Sequence, residues 1–294
     1  MNILITGASS GFGKLIVAEL LKAGHQVAGT VRDPKGRNAE AADLLRDLGA
    51  EIVDIDVTND ASVEAGVAAA SDRLGGIDVL INNAGVGVYG LQENFSAADF
   101  QRVFDINVFG PQRLTRAVLP QMRERGEGLI LNITSVLGRI TLPFYGPYNA
   151  TKWALEAVSE NYRAELSQFG VDVAIIEPGG FPTEFHGNLI LPTSTDRNEG
   201  YGEMADAPVA ARQQMNEFLA ANPQQNPSLV AEAVVSVVDA APGTRPFRTE
   251  VDTVGMGDLV KPMNDLAATS TQALFTNFGM ADMLKLNVTP KKAA

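Results

Sequence analysis

Tyr148 and Lys152, in the stretch "YNATK", have types and a spacing suited to moving a proton. Residues four apart share one face of a helix, one turn from each other. A free tyrosine ionises at a pKa of about 10, too high for a base at neutral pH. A nearby ammonium favours the phenolate and lowers that value. A fall of about two or three units brings a phenol into the range of general acid–base work. Such a group protonates a forming alkoxide as a carbonyl is reduced, and takes the proton as an alcohol is oxidised. Ser135, just after a strand-like run, can hydrogen-bond the same oxygen and hold it. A bare pair at this spacing also suits an ordinary helix surface. Ser135 and a glycine turn near the start of the chain favour chemistry.

That turn is "TGASSGFG", residues 6–13. Gly7, Gly11 and Gly13 carry no side chains, so the backbone there can approach a pyrophosphate. Ser9 and Phe12 lie in the same turn. A helix starting here offers amide donors and positive potential to an anion.

The elements that must position these residues are legible as alternating patterns. Strand-like runs fall at residues 2–6, 26–31, 51–57, 79–83, 129–134, 171–178 and 247–251. Helical patterns lie at about 12–24, 38–48, 60–74, 97–124, 149–169 and 227–240. The alternation predicts an α/β fold, a doubly wound parallel sheet of about seven strands with helices on both faces. The runs are β-branched and nearly continuous, as two covered faces demand. One domain is expected over 1–294. Residues 181–227, with Gly, Pro, Asn and Gln among scattered apolar residues, read as a substrate lid, and an extension of helix plus a loose basic end begins at about 255.

The formal net charge of −12 argues against partners such as nucleic acid or an anionic membrane surface. The absence of cysteine excludes disulfides, zinc–thiolate sites and cysteine nucleophiles. With only His25 and His186, no histidine-rich metal site is expected. No apolar run is long enough to span a bilayer, and the first residues lack a charged leader pattern. The expectation is a cytoplasmic protein.

Four stretches, in order and at strand ends, resemble the short-chain dehydrogenase/reductase family: "TGASSGFG", "NNAG" at 82–85, the segment carrying Ser135, Tyr148 and Lys152, and "EPGGFPT" at 177–183. The glycine spacing T-G-x-x-x-G-x-G separates this pattern from the general G-x-G-x-x-G. The similarity covers about residues 1–252. It implies a Rossmann-type fold and a nicotinamide cofactor that carries the hydride, while the protein supplies placement and electrostatics. It also implies that Lys152 donates to the nicotinamide ribose, and that Asn107 holds a water linking the lysine to solvent. Asn107 equally suits a helix kink before Gly110–Pro111. Asp56 is expected at the adenine amino group, Val57 beside the ring, and Asn83, Ala84 and Gly85 along the adenosine. Asn83 suits the tying of neighbouring strands just as well. Pro178, Gly179 and Thr183 are expected to flank the nicotinamide. A homodimer or homotetramer through the two long central helices is implied.

Cofactor choice turns on "TVRDP" at 30–34. By count from the glycines, Asp33 would be a ribose-binding acid and the cofactor NAD. Asp33-Pro34 also reads as a helix N-cap followed by proline at the first helical position. In the family the discriminating acid ends the strand, where Val31 stands, and a base at the next position, here Arg32, marks NADP users. A guanidinium suits a 2′-phosphate. The expectation is a preference for NADP(H), with NAD(H) also open. The basic residue many NADP users place before the middle glycine is here Ser10.

Leu137, Phe144 and Tyr145, with Phe181 and Phe185, suggest an apolar substrate pocket for a small-molecule ketone, aldehyde or secondary alcohol. Core or subunit packing is the other reading of the same residues. Two rival functions remain: a nucleotide-binding regulator without turnover, and a sugar-epimerase-like enzyme. The intact Asn107, Ser135, Tyr148 and Lys152 oppose the first, and the glycine spacing opposes the second.

Overall fold

The computed structural model describes residues 1–288. Seven strands form one sheet: β1 (Asn2–Ile5), β2 (Gln26–Thr30), β3 (Glu51–Val53), β4 (Val79–Asn82), β5 (Gly128–Ile133), β6 (Val171–Pro178) and β7 (Arg248–Val251). Their order is β3-β2-β1-β4-β5-β6-β7, and each neighbouring pair is parallel. The order reverses between β1 and β4. In such sheets ligands lie in the crevice beyond the carboxyl ends of the strands at that switch point.

Alternate strand residues feed two cores. Ile3 and Ile5 pack on one face with Ile16, Val17 and Leu20 of α1 (Gly11–Lys22). That cluster also takes Ala42 and Leu45 of α2 (Ala39–Asp47). On the opposite face Leu4, Leu80 and Ile130 meet Val67 and Leu74 of α3 (Asp60–Leu74). Full burial of each such aliphatic side chain contributes roughly 1.5–3 kcal/mol.

The long central pattern at 97–124 is broken in the structure. The helix α4 (Ala97–Phe104) passes through a π-helical turn at Asp105–Phe109 into α5 (Gly110–Arg125). Single π turns interrupt the regular ladder and turn side chains to new directions, and Asn107 lies in this one. The second central helix, α6 (Gly146–Leu166), carries Tyr148 and Lys152 in its first two turns.

Residues 181–227 are more regular than their composition suggests. They hold α7 (Ala207–Ala221), preceded by a 3-10 stretch at Asn198–Asp206 with non-helical backbone at Gly202. Only Leu219 of α7 is buried, so no apolar periodicity announces the helix; the signal is propensity, in Ala, Arg, Gln, Met, Glu and Leu. Two more helices complete the chain order, α8 (Ser228–Asp239) and α9 (Met256–Asn277). The last residues of the basic end lie outside the described residues.

Asp33 does not start α2. Its φ is +53°, and its Oδ2 accepts from the Arg37 amide at 3.1 Å. The chain folds back onto the Asp33 carbonyl through Gly36 and Asn38, so the helix begins only at Ala39, where Asn38 stands as N-cap. Asp33 therefore stabilises the turn ahead of the helix. Its Asp–Pro start is the same, but the turn delays the helix by one cycle.

Candidate active site

A cleft of about 590 Å³ opens along the carboxyl ends of the strands. Gly7 follows β1, Arg32 follows β2, Asn83 follows β4, Ser135 follows β5 and Pro178 ends β6, so one sheet edge collects residues far apart in sequence. Most of the predicted residues line it: Gly7, Ser9, Gly11 and Phe12 at one end, and Arg32, Asp56 and Val57 nearby. Asn83, Ala84, Gly85, Ser135, Tyr148, Pro178, Gly179 and Thr183 continue the wall. Gly13, Asn107 and Lys152 sit outside the lining set. They support it from behind.

The glycine turn fits an anion. A Cβ on Gly7 would stand 2.8 Å from Ala84 Cα, and φ there is +67°. A Cβ on Gly13 would collide with the Gly7 carbonyl oxygen and reach Asn83 Nδ2 at 2.7 Å. Both glycines are therefore required by the close approach of two loops. The Gly11 amide donates to Glu184 Oε2 at 3.1 Å, so this helix N-terminus already receives a carboxylate oxygen. Asn83 Nδ2 donates to the carbonyls of Thr6 and Gly7 at 2.9 and 3.1 Å. It ties the two strand ends together and faces the cleft as well. The glycine cradle, the amide donors and the open wall fit a dinucleotide, with Lys152 and Tyr148 at the far end. When bound, a nicotinamide cofactor supplies or accepts the hydride and, oxidised, brings a cationic ring.

Beside the turn after β2, Arg32 Nη1 lies 3.9 Å from Asp56 Oδ2. Partial burial pushes the Asp56 carboxyl up. Hydrogen bonds from Thr58 and the charges of Arg32 and Arg37 outweigh it and hold Asp56 below the usual aspartate value. Arg37 also lines the cleft. Sequence reasoning missed it, because the folded-back turn that carries it looked like the start of a helix.

At the reactive end, Ser135 Oγ accepts from the Leu137 amide at 3.1 Å and donates to the Pro178 carbonyl at 3.4 Å. Lys152 Nζ donates to the Ile133 carbonyl at 2.9 Å and lies 5.6 Å from the Tyr148 ring centroid. Asn107 Nδ2 donates to the Val86 carbonyl and to Thr151 Oγ1, and its Oδ1 accepts from the Val86 amide. Thr151 in turn bonds the Tyr148 carbonyl. The π turn is thus pinned to the first turns of α6.

The expectation of a lowered tyrosine pKa is not met by the chain alone. Burial pushes the Tyr148 phenol up to about 12, with the Ser135 hydroxyl only partly offsetting it and Tyr145 adding to the rise. Burial also draws Lys152 down to about 8, against the charge of Glu156. Helical spacing brings the pair together, and desolvation is the largest cause of both shifts.

Of the predicted pocket residues, Leu137, Tyr145, Phe181 and Phe185 line the cleft and Phe144 does not. Phe144 has φ +72°, and its ring packs edge-on against Tyr89 at 6.0 Å. The turn before α6 swings it off the wall. Phe181 is 2% exposed and stacks edge-on with Phe12 at 5.6 Å, so it serves the core as much as the cleft. The Phe185 ring lies 5.5 Å from Tyr148. Met215 of α7 and Met256 of α9 also reach the cleft, and no local motif marks them.

The doubly wound parallel sheet with its glycine turn after β1 is a Rossmann-type α/β fold. A family model described as short chain dehydrogenase matches residues 1–191. The chain is 35% identical over 251 residues to 3-ketodihydrosphingosine reductase of Bacteroides thetaiotaomicron, covering 85% of this chain and 87% of that one. It is 35% identical over 260 residues to human retinol dehydrogenase 8, covering 83% and 79%. The solved actinorhodin polyketide ketoreductase variant with NADPH superposes with TM-score 0.72 at 29% identity, covering 87% of this chain and 97% of that one. This chain belongs to the short-chain dehydrogenase/reductase family, oxidoreductases acting on carbonyl and alcohol groups.

Proposed function

We propose that this protein is an NADP(H)-preferring reductase of hydrophobic ketones or aldehydes. The observation that carries the reading is the convergence of Ser135 and Tyr148 on one cleft whose opposite end holds Arg32 and Arg37. Ser135 positions the substrate oxygen, and Tyr148 gives it a proton as hydride arrives. Burial pushes the phenol up to about 12 in the chain alone, so Tyr148 holds the proton it is assigned to give. Lys152 is assigned to the nicotinamide ribose and Asn107 to holding α6 beside the π turn. Leu137, Tyr145 and Phe185 supply apolar surface for the substrate, under a lid formed by residues 181–227. Both curated relatives carry names for large hydrophobic substrates, which agrees with that surface.

A screen of ketones, aldehydes and alcohols with NADPH and NADH in parallel tests the reading. Turnover of bulky apolar carbonyls, better with NADPH, is expected. No turnover on any of them, with cofactor still bound, would favour the regulator instead.

Two charges at the ribose end make the preference testable by itself. Arg32→Ala removes one charge-assisted contact, so the NADPH dissociation constant should rise about tenfold or more. The constant for NADH should change less than about twofold, because no 2′-phosphate is present. Calorimetric titration with both cofactors reads the difference, and equal weakening would sink the assignment.

A homodimer or homotetramer is also part of the proposal. Phe109, at the junction of α4 and α5, and Trp153 on α6 are 49% and 41% exposed. Large apolar side chains on two long neighbouring helices suit a helix-to-helix subunit contact. Light scattering on the purified chain should give twice or four times the mass of the monomer, and a monomer at micromolar concentration would remove this part.

A further inference from the structure

Behind the reactive pair, α6 buries a carboxylate that the chemistry above leaves unused. Glu156 follows Lys152 by one turn and is 1% exposed. Glutamate is almost never buried this fully unless it is paired. Its Oε2 accepts from Arg248 Nε at 2.9 Å, while Oε1 has no hydrogen-bond partner. A Cβ on Gly138 would meet Glu156 Cγ at 3.1 Å and the Lys152 carbonyl oxygen at 3.2 Å. The turn at Val136–Gly138 therefore closes over this stretch of α6 and shields both residues from water.

Arg248 serves more than one acid. It also pairs with Glu160 through Nη2, and its Nε lies 3.6 Å from Glu177 Oε1. Glu177 is fully buried on β6, directly before Pro178. Asn264 of α9 donates to Glu177 Oε2 at 2.6 Å and to Glu250 Oε1 at 2.8 Å. Burial, and then the charge of Glu156, pushes the Glu177 carboxyl up to about 8, so Glu177 keeps its proton near neutral pH. The guanidinium is thereby left to Glu156 and Glu160.

The groups around this network are these. α6 contributes Tyr148, Lys152, Glu156, Glu160 and, further on, Arg163. β6 contributes Glu177, β7 contributes Arg248 and Glu250, and α9 presents the neutral Asn264. The turn over Gly138 leads to Arg139, whose buried Nε has no hydrogen-bond partner. Glu156 stands one turn beyond Lys152 on the same buried face of α6, and its negative charge works against the desolvation that draws the lysine down.

We infer that Glu156 is a positioning residue for the reaction: its carboxylate, fixed by Arg248, is the counter-charge that keeps the buried Lys152 ammonium protonated. The inference rests on the reading of Lys152 as the partner of Tyr148 and of the ribose. An ammonium taken out of water loses its proton readily unless an anion stands nearby. A neutral Lys152 would lose both its charge and one donor at the cofactor end of the site. Arg248 suits the fixing role because it stays ionised when buried.

Glu156→Gln is the test, with two readouts. The first is the 13Cε resonance of Lys152 in lysine-labelled protein, assigned by its loss in Lys152→Arg. The second is the alkaline limb of kcat/KM for carbonyl reduction. Both should move to lower pH by about one unit. A role confined to holding the helix would lower Tm and kcat and move neither, and a folded Glu156→Gln with an unmoved lysine titration would overturn the inference. Glu156→Asp keeps the charge and withdraws it by one methylene. It should restore most of the activity, with the lysine titrating about a few tenths of a unit below wild type. If Glu156→Gln does not fold, an unchanged lysine titration in Glu156→Asp overturns it. A wild type without turnover, combined with a shifted lysine resonance in the variant, would count against the proposed reaction and still support the counter-charge.

Discussion

Tyr148→Phe should lower kcat about 10²–10⁴-fold, the usual worth of a positioned general acid. The ring stays, so packing against Tyr145 and Phe185 is retained and the fold should hold. Only the hydroxyl that gives the proton is lost. Cofactor affinity should change little, because the glycine turn and Arg32 lie at the other end of the cleft. The measurement is steady-state turnover beside a fluorescence titration of NADPH. A variant with more than about a tenth of the wild-type kcat would remove Tyr148 from the role, since that loss is below what such a group supplies. If NADPH binding collapsed as well, the side chain would be holding the cofactor rather than the proton. Ser135→Ala should show the same pattern in milder form, because Ser135 orients the substrate oxygen and moves no proton in this scheme.

Arg248→Met should cost about 3–5 kcal/mol of stability, the range seen when one partner of a buried ion pair is removed. Two of the acids it faces, Glu156 and Glu177, are 1% and 0% exposed, so water cannot replace the guanidinium. The pH dependence has a definite sign. Glu177 is already raised in the folded chain, from the ordinary 4.5 to about 8. A raised carboxyl stabilises the folded state fully below its ordinary value, and that contribution is lost as pH rises to the folded value. Without Arg248, Glu177 loses a charge that draws its carboxyl down, and the buried Glu156 loses its pairing charge. The deficit of the variant against wild type should therefore be larger at pH of about 8 than at about 5. Urea unfolding at the two pH values measures it, and a deficit that does not change with pH would mean that packing rather than charge is lost. This test needs no turnover, so it stands apart from the proposed reaction.

How much of this was legible beforehand differs from residue to residue. The inner strands were visible because strands buried on both faces read as short, nearly continuous apolar runs, whereas the edge strand β7, with Arg248, Thr249 and Glu250 half-buried, carries no such run. The break inside 97–124 was half visible. Gly110–Pro111 pointed to a kink, but a π turn is a rearrangement of backbone hydrogen bonds and leaves no residue pattern of its own. The helix α7 was invisible to periodicity because only one of its side chains is buried. Phe144 was misplaced because chain proximity to Ser135 and Tyr148 says nothing about direction, and a residue at positive φ turns its side chain away.

The pair "RD" at 32–33 separated as expected in one respect and not in the other. Arg32 lines the cleft and Asp33 does not. Asp33 braces a turn instead of a helix, and that turn delivers Arg37 to the same wall. No count along the sequence brings residue 37 beside residue 32 in space; a backbone folded back on the Asp33 carbonyl does.

The sequence by itself determined the class of fold and the glycine turn, and it singled out the serine, tyrosine and lysine now proposed for the chemistry, because periodicity and local spacing are properties of neighbouring residues. Only the tertiary structure decided the electrostatics. Tyr148 and Lys152 share one helical face on paper, yet their ionisation depends first on how much water the surrounding elements exclude. Glu156, Glu177 and Arg248 lie on three elements and meet only when the sheet is assembled. Desolvation and long-range pairing are properties of the packed molecule, so the charge of the lysine could not be read until the chain was folded.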